Sequence, residues 1–254
     1  MIKTFTENLI NLGPIQKSQS LAWVIDPKNI KLKEQLDKWM FDFLESGKLE
    51  DVYEKYYGYS NYKLNHFDIQ TFNERILERL PKYKDIFVKA AKKYNFPWEL
   101  IAAVSYQESH WKPDAVSRTG VRGLMMLTMD TANDWDVEDR TDPEQSIRGG
   151  ARYFASLLSR IPARIGNPDR TWMAMAAYNI GMGHLEDARV LTERQGGNPD
   201  LWVDVKQRLP QLKQKKYYRT TNYGYARGDE ALQYVDNIRR YYDSLVWLDE
   251  QGKI

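Results

Sequence analysis

From about residue 70 to its end the chain repeats one pattern: apolar residues at helical spacing, opened by proline or broken by glycine, with no alternating strand–helix units. Stripes of that period are buried only by packing helix on helix, so the pattern dictates a mainly α domain. The spacing predicts helices over Pro97–Ser109, from Asp142 to Ser159, from Asp169 to a stop at Gly181, and over Gly183–Gln195, Pro199–Arg208 and Asp229–Leu248. Asp142-Pro143-Glu144-Gln145 reads as a capping-box start. Pro81 and Pro97 stand where first-turn prolines belong, and Gly120, Gly123, Gly166, Gly196 and Gly197 punctuate the series.

The first part differs. Leu21-Ala22-Trp23-Val24-Ile25 is a short β-like run, followed by a helix from about Asn29 to Glu45. That helix carries Leu32, Leu36, Trp39, Met40, Phe43 and Leu44 on one face, and Gly47 ends it. A short helix leads to Gly58, and the polar, aromatic stretch Tyr59–His66 reads as a linker. The expectation is a small α/β piece over residues 1–66 and a mainly α domain over 67–254.

Composition removes several classes of function. A net charge of +2 without a Lys/Arg-rich run does not fit nucleic-acid binding. With no cysteine there is no disulfide, thiolate metal site or cysteine nucleophile. His66, His110 and His184 stand at no ligand spacing, so no metal is expected. Neither the opening MIKTFTENLI nor any later stretch has the apolar run of a signal peptide or membrane span, so the chain as given is expected to be soluble.

Candidate chemistry begins at Glu108. On Pro97–Ser109 the inward stripe reads Ile101, Val104, Ser105, Glu108, so the glutamate continues an apolar face. Partial desolvation there raises a carboxyl pKa and suits a general acid. The bland reading is a helix-end glutamate reaching water or pairing with Arg118 or Arg122. The following loop, Trp111–Gly120, leads to Gly123-Leu124-Met125-Met126, either a ligand-facing wall or a turn before core methionines. Ala177-Tyr178-Asn179-Ile180-Gly181 offers a hydroxyl and an amide, or simply a helix stop. Tyr217–Gly228 is an aromatic, polar loop suited to sugar stacking, in a chain whose residues are 13% aromatic anyway.

Taken in order, Glu108-Ser109, Gly123-Leu124-Met125-Met126, Ala177-Tyr178-Asn179 and Tyr234-Val235 resemble the motif series of family 1 lytic transglycosylases over residues from about 70 to 248. The Gly123–Thr128 form and Gly224–Gly228 are similar to one branch of that family. Its members carry a periplasmic solute-binding module before the catalytic domain, and residues 1–66 resemble only the tail of such a module. The resemblance implies a goose-type lysozyme-like fold, a peptidoglycan substrate, no cofactor, a monomer, and a periplasmic, outer-membrane-associated setting. It implies that Glu108 protonates the oxygen joining N-acetylmuramic acid to N-acetylglucosamine. As a carboxylate it would then deprotonate the muramic acid C6 hydroxyl, which attacks the anomeric carbon and leaves a 1,6-anhydromuramoyl end.

By the same resemblance Ser109 orients the glutamate, and Ser117 and Thr119 line the cleft. Gly123 and Met125 form its wall, Tyr178 and Asn179 contact the glycan or support Glu108, and Tyr234 lies close to the carboxylate. Met126 stands where the family often has glutamine. Asp136, Glu138, Asp139 and Asp142 belong to no motif that would set a second carboxylate opposite Glu108, as a hydrolase ordinarily requires. The alternatives are a muramidase that uses water and a glycan-binding module without catalysis.

Overall fold

The computed structural model describes residues 24–46, 48–49, 52–53 and 66–254. The chain divides into two units, residues 1–58 and 59–254. In the first, α1 (Ile30–Glu45) forms where the spacing predicts it. None of its residues is buried, and Trp39 and Phe43 stack on its surface at 5.1 Å. Along its apolar stripe Leu36, Met40 and Phe43 are half-buried, and Leu32, Trp39 and Leu44 are exposed. Of the expected strand run Leu21–Ile25, residues 21–23 lie outside the described residues and Val24 and Ile25 are not in a strand. The stop at Gly47 and the expected linker up to residue 65 also lie outside them, while His66, expected in that linker, begins a helix.

The second unit is built from helices. They are α2 (His66–Glu78), α3 (Lys84–Tyr94), α4 (Trp98–Ser109), α5 (Met129–Asp134), α6 (Pro143–Arg160), α7 (Asp169–Ile180), α8 (Met182–Arg194), α9 (Trp202–Val205), α10 (Lys215–Tyr218) and α11 (Gly228–Glu250). Among the described residues, β pairing is confined to the isolated bridges Val116–Arg122 and Arg122–Leu127. The mainly α expectation holds. No helix among the described residues is long and apolar enough to cross a membrane.

Helix α4 is the centre of this unit. Leu100 to Tyr106 are all buried, so the helix is enclosed on every side and not on one stripe. That corrects the sequence reading, in which only Ile101, Val104, Ser105 and Glu108 face inward. Long α11 packs along α4 and α7, while α3 lies against α4 and α6. Phe72, Tyr106, Trp111 and Tyr241 close the base of α4 with ring centroids 4.6–6.0 Å apart. The Trp111 indole, fully buried, donates to the Ala102 carbonyl at 2.9 Å. This bond satisfies a group whose burial would otherwise be costly.

Local chemistry sets the helix ends. Asp142 caps α6 by accepting from the Gln145 amide at 2.8 Å. The reciprocal bond of a capping box does not form; the Gln145 side chain instead accepts from the Glu138 and Asp139 amides. The helix expected over Pro199–Arg208 shrinks to α9, because the Asp169 carboxylate takes the Trp202 amide at 2.9 Å and fixes its start.

Candidate active site

Glu108 lies in the last turn of α4, which ends at His110 in the left-handed region (φ 51°). The residue is half-buried, since a small opening reaches it although its carboxyl is closely surrounded by protein. Burial lifts its pKa from 4.5 to about 7, while a hydrogen bond from Tyr234 pulls the other way. The Tyr234 hydroxyl donates to Oε1 at 2.6 Å from the second turn of α11. Oε2 has no protein partner among the described residues. The carboxyl therefore exchanges a proton near neutral pH, with one oxygen held and the other open. The bland alternative of a pair with Arg118 or Arg122 is not what the structure contains.

Two further phenols stand around this carboxyl. Burial and the Glu108 charge hold the Tyr178 and Tyr234 pKa values well above the ordinary range, so both remain hydrogen-bond donors. Tyr178 donates to the Met125 carbonyl at 3.0 Å. The third is Tyr153 on α6, whose ring meets that of Tyr178 at 5.1 Å and which is electrostatically coupled to Tyr178 and Tyr234. Sequence reading missed Tyr153. On α6 it is one more aromatic in an amphipathic helix, and only the crossing of α6 with α7 sets it beside the site.

The Gly123–Met126 segment is tied down by its backbone. Ser105 and Ser109 both donate to the Leu124 carbonyl, at 3.0 and 2.9 Å, and the Met125 amide donates to Ser146 Oγ at 3.2 Å. With the Tyr178 bond, side chains from α4, α6 and α7 grip this segment, each bond worth about 1 kcal/mol. The Ser109 hydroxyl is thus directed at the loop, away from the neighbouring carboxyl. The Met125 side chain is completely enclosed and so is not exposed cleft wall. It fills space that exists because residue 150 is glycine: a Cβ there would lie 2.6 Å from Met125 Cγ. Gly123 has φ +85°, and a Cβ on it would fall 1.7 Å from the Arg140 carbonyl oxygen. Its close approach is therefore to protein backbone. Met126, with φ 46°, remains half-exposed.

The remaining candidates are more distant from the carboxyl in bonding terms. Ser117 and Thr119 bond to each other at 2.9 Å, and Ser117 Oγ also accepts the Thr119 and Val121 amides, forming a closed loop tip. Asn179 is exposed at the end of α7, its side-chain amide making no hydrogen bond within the described residues. A cavity of about 480 Å³ lies elsewhere, lined by Arg122, Met129, Asp136, Glu138, Asp139 and Arg140 among others. None of Glu108, Tyr178 and Tyr234 borders it, so this cavity and the acid–base chemistry lie at different places. The chemistry is the better guide, since Glu108 combines a neutral-range pKa with a fixed donor. Among the described residues no cluster of His, Asp and Glu could hold a metal ion.

Comparison with known proteins bears on this arrangement. Residues 85–200 match the transglycosylase SLT domain family, a span that includes Glu108, Gly123, Met125, Tyr153 and Tyr178 but not Tyr234. A membrane-bound lytic murein transglycosylase F of Alteromonas mediterranea is 62% identical over 248 residues, 97% of this chain and 53% of that relative. The protein of the same name from Idiomarina loihiensis is 51% identical over 241 residues, 94% of this chain and 52% of that relative. The chain thus spans about half the length of the curated relatives it matches. A solved structure of an inactive variant of lytic transglycosylase Slt from Pseudomonas aeruginosa has a TM-score of 0.48 at 18% identity, covering 84% of this chain and 35% of that one. Over residues 85–200, a little under half of its length, the chain is similar to the transglycosylase SLT domain family.

Proposed function

We propose that this chain is a peptidoglycan lytic transglycosylase in which Glu108 acts first as acid and then as base. The observation that carries the reading is the Glu108 carboxyl itself. Its pKa of about 7 populates both protonation states near neutrality, and Tyr234 holds one oxygen while the other is open. Protonated Glu108 donates to the glycosidic oxygen between N-acetylmuramic acid and N-acetylglucosamine, and the C–O bond to the anomeric carbon breaks. The carboxylate left behind takes the proton of the muramic acid C6 hydroxyl as that oxygen bonds to the anomeric carbon. The proton balance closes on Glu108, and no water is consumed.

A hydrolase of the usual kind needs a second carboxylate across the bond. Burial and Tyr234 are the two causes that set the Glu108 pKa, and no acid contributes to it. Asp136, Glu138 and Asp139 line the separate cavity, and Asp142 is engaged in capping α6. The names of the relatives, lytic murein transglycosylases, support the same substrate and reaction class.

Within this reading Tyr178, Asn179, Ser117 and Thr119 contact the glycan, while Ser109, Gly123 and Met125 shape the loop that faces it. Residues 67–254 form the catalytic domain, and residues 1–66 are the tail of a solute-binding-like module. The exposed Leu32, Trp39 and Leu44 on the apolar stripe of α1 suit a piece that packs within a larger module. The protein works as a monomer in the periplasm, at the outer membrane, without metal or cofactor. Mass spectrometry of digested cell wall tests the reaction: anhydro ends are expected. Reducing ends on every product would make the chain a muramidase, and unchanged digestion by Glu108→Gln would remove Glu108 from the mechanism.

A further inference from the structure

The aromatic loop before α11 has no part in the chemistry at Glu108, yet it holds two rings in the open. Tyr223 is 63% exposed and Tyr225 is 53% exposed. Single exposed tyrosines are ordinary on a protein surface. These two are fixed. The Asp187 carboxylate, itself 2% exposed, accepts the Asn222 amide at 3.0 Å and the Tyr223 amide at 2.9 Å. Releasing the loop would strand a buried charge, so the two bonds commit the backbone to one course. Arg194 holds the Thr220 carbonyl at 2.8 Å, and the Ala226 amide reaches the Leu212 carbonyl at 3.2 Å.

The rings are seated as well. Tyr223 packs against Gly183, where a Cβ would lie 2.6 Å from ring carbons. Tyr225 meets the edge of Tyr218 at 5.9 Å. Two chain connections place this loop beside the site. Gly183 lies in the first turn of α8, just past the Gly181 joint that follows Tyr178 and Asn179 on α7. The loop also runs directly into α11, where Tyr234 stands six residues, roughly 9 Å, along the helix from Gly228.

We propose that Tyr223 and Tyr225 form a stacking platform for a sugar ring of the glycan strand, away from the bond that Glu108 cleaves. The proposal rests on reading the chain as glycan-cleaving. One face of a pyranose presents C–H groups of slight positive charge, which meet the negative face of an aromatic ring, while the sugar's hydroxyl edge remains in water. The charge around the loop does not single out the phosphates of a nucleic acid. Lys213 pairs with Asp229 at 2.8 Å, Arg227 with Glu230 at 3.3 Å, and Lys216 sits over the Tyr217 ring at 4.6 Å. These three cations are already engaged, and Lys215 and Arg219, which have no such partner among the described residues, are few for a polyanion site.

The test uses the whole chain carrying Glu108→Gln, so that binding is measured without cleavage. The probes are peptide-free glycan strands and a tetrasaccharide of the same sugars. Adding Tyr223→Ala and Tyr225→Ala is expected to weaken binding of the long strands about tenfold and of the tetrasaccharide far less. Phenylalanine at both positions is expected to restore binding, because the ring makes the contact and the hydroxyl does not. Equal affinity of the alanine variant for long strands overturns the platform, as does an equal loss for both lengths. If Glu108→Gln with both tyrosines intact binds neither probe, the glycan-cleaving reading itself fails and takes the platform with it.

Discussion

The Tyr234 hydroxyl donates to Glu108 Oε1 at 2.6 Å, joining residues 126 positions apart in the chain. One sits at the end of α4 and the other near the start of α11, and these two helices pack against each other. Burial of the carboxyl and the bond from the phenol act on its pKa in opposite directions, and the balance falls at about 7. A glutamate in water, near 4.5, would be almost wholly ionised at neutral pH and could not serve as an acid.

The pH–rate profile follows from that balance. In the proposed mechanism Glu108 must carry the proton at rest, so kcat/KM on soluble glycan strands should be level below about pH 7 and fall about tenfold per pH unit above it. A descending limb near the ordinary glutamate value of 4.5 would contradict the assignment of Glu108 as the acid.

Tyr234→Phe removes the one interaction that lowers the Glu108 pKa and leaves the desolvation in place. The descending limb should therefore shift to higher pH. At neutral pH kcat should drop by about tenfold or more, since the hydrogen bond that steadies the carboxylate is worth about 1.5–3 kcal/mol. A limb that stays in place with unchanged kcat would show that the bond has no role in the reaction.

Glu108→Gln should stabilise the fold at alkaline pH. In the unfolded chain the carboxyl ionises near 4.5, in the folded one near 7. The raised folded pKa favours the native state fully below the unfolded value, and this advantage is lost as pH rises through about 7. Glutamine has no charge to desolvate. Relative to wild type it should be about 1–3 kcal/mol more stable at pH 8, with the difference closing below the unfolded pKa. Urea unfolding at the two pH values measures it, and a constant difference would mean that the Glu108 charge carries no cost.

The sequence made parts of this site legible and hid others for physical reasons. Glu108, Tyr178 and Tyr234 stand in motifs with a fixed order, so their types and sequence could be read together. The periodicity argument for Glu108 was weaker than its motif, because α4 is buried on all sides and almost any position on it points inward. The family resemblance put Met125 in the cleft wall where the residue pattern left core packing open, and a one-dimensional pattern cannot show that Gly150, on another helix, opens room for its side chain. Tyr153 was invisible for the same reason, since only the packing of α6 on α7 sets it against Tyr178. The shortened α9 shows tertiary structure overriding propensity, through the reach of Asp169 to the Trp202 amide.

Gly123→Ala tests whether the loop geometry is required for the chemistry, and Gly120→Ala supplies its control. Both glycines have positive φ, +85° and +82°, so alanine is strained at either. At Gly120 nothing lies within 4 Å of the added carbon, and the cost should be only the left-handed strain of about 1–2 kcal/mol. At Gly123 the same carbon would lie 1.7 Å from the Arg140 carbonyl oxygen, so the backbone must move as well. That movement loosens the bonds at Leu124 and Met125 to Ser105, Ser109, Ser146 and Tyr178. The expected loss is about 3 kcal/mol or more in urea unfolding, together with a kcat reduced even at low temperature where the variant remains folded. The two helices carrying Glu108 and Tyr234 are untouched, so a folded Gly123→Ala variant with normal kcat would mean that the loop serves stability alone.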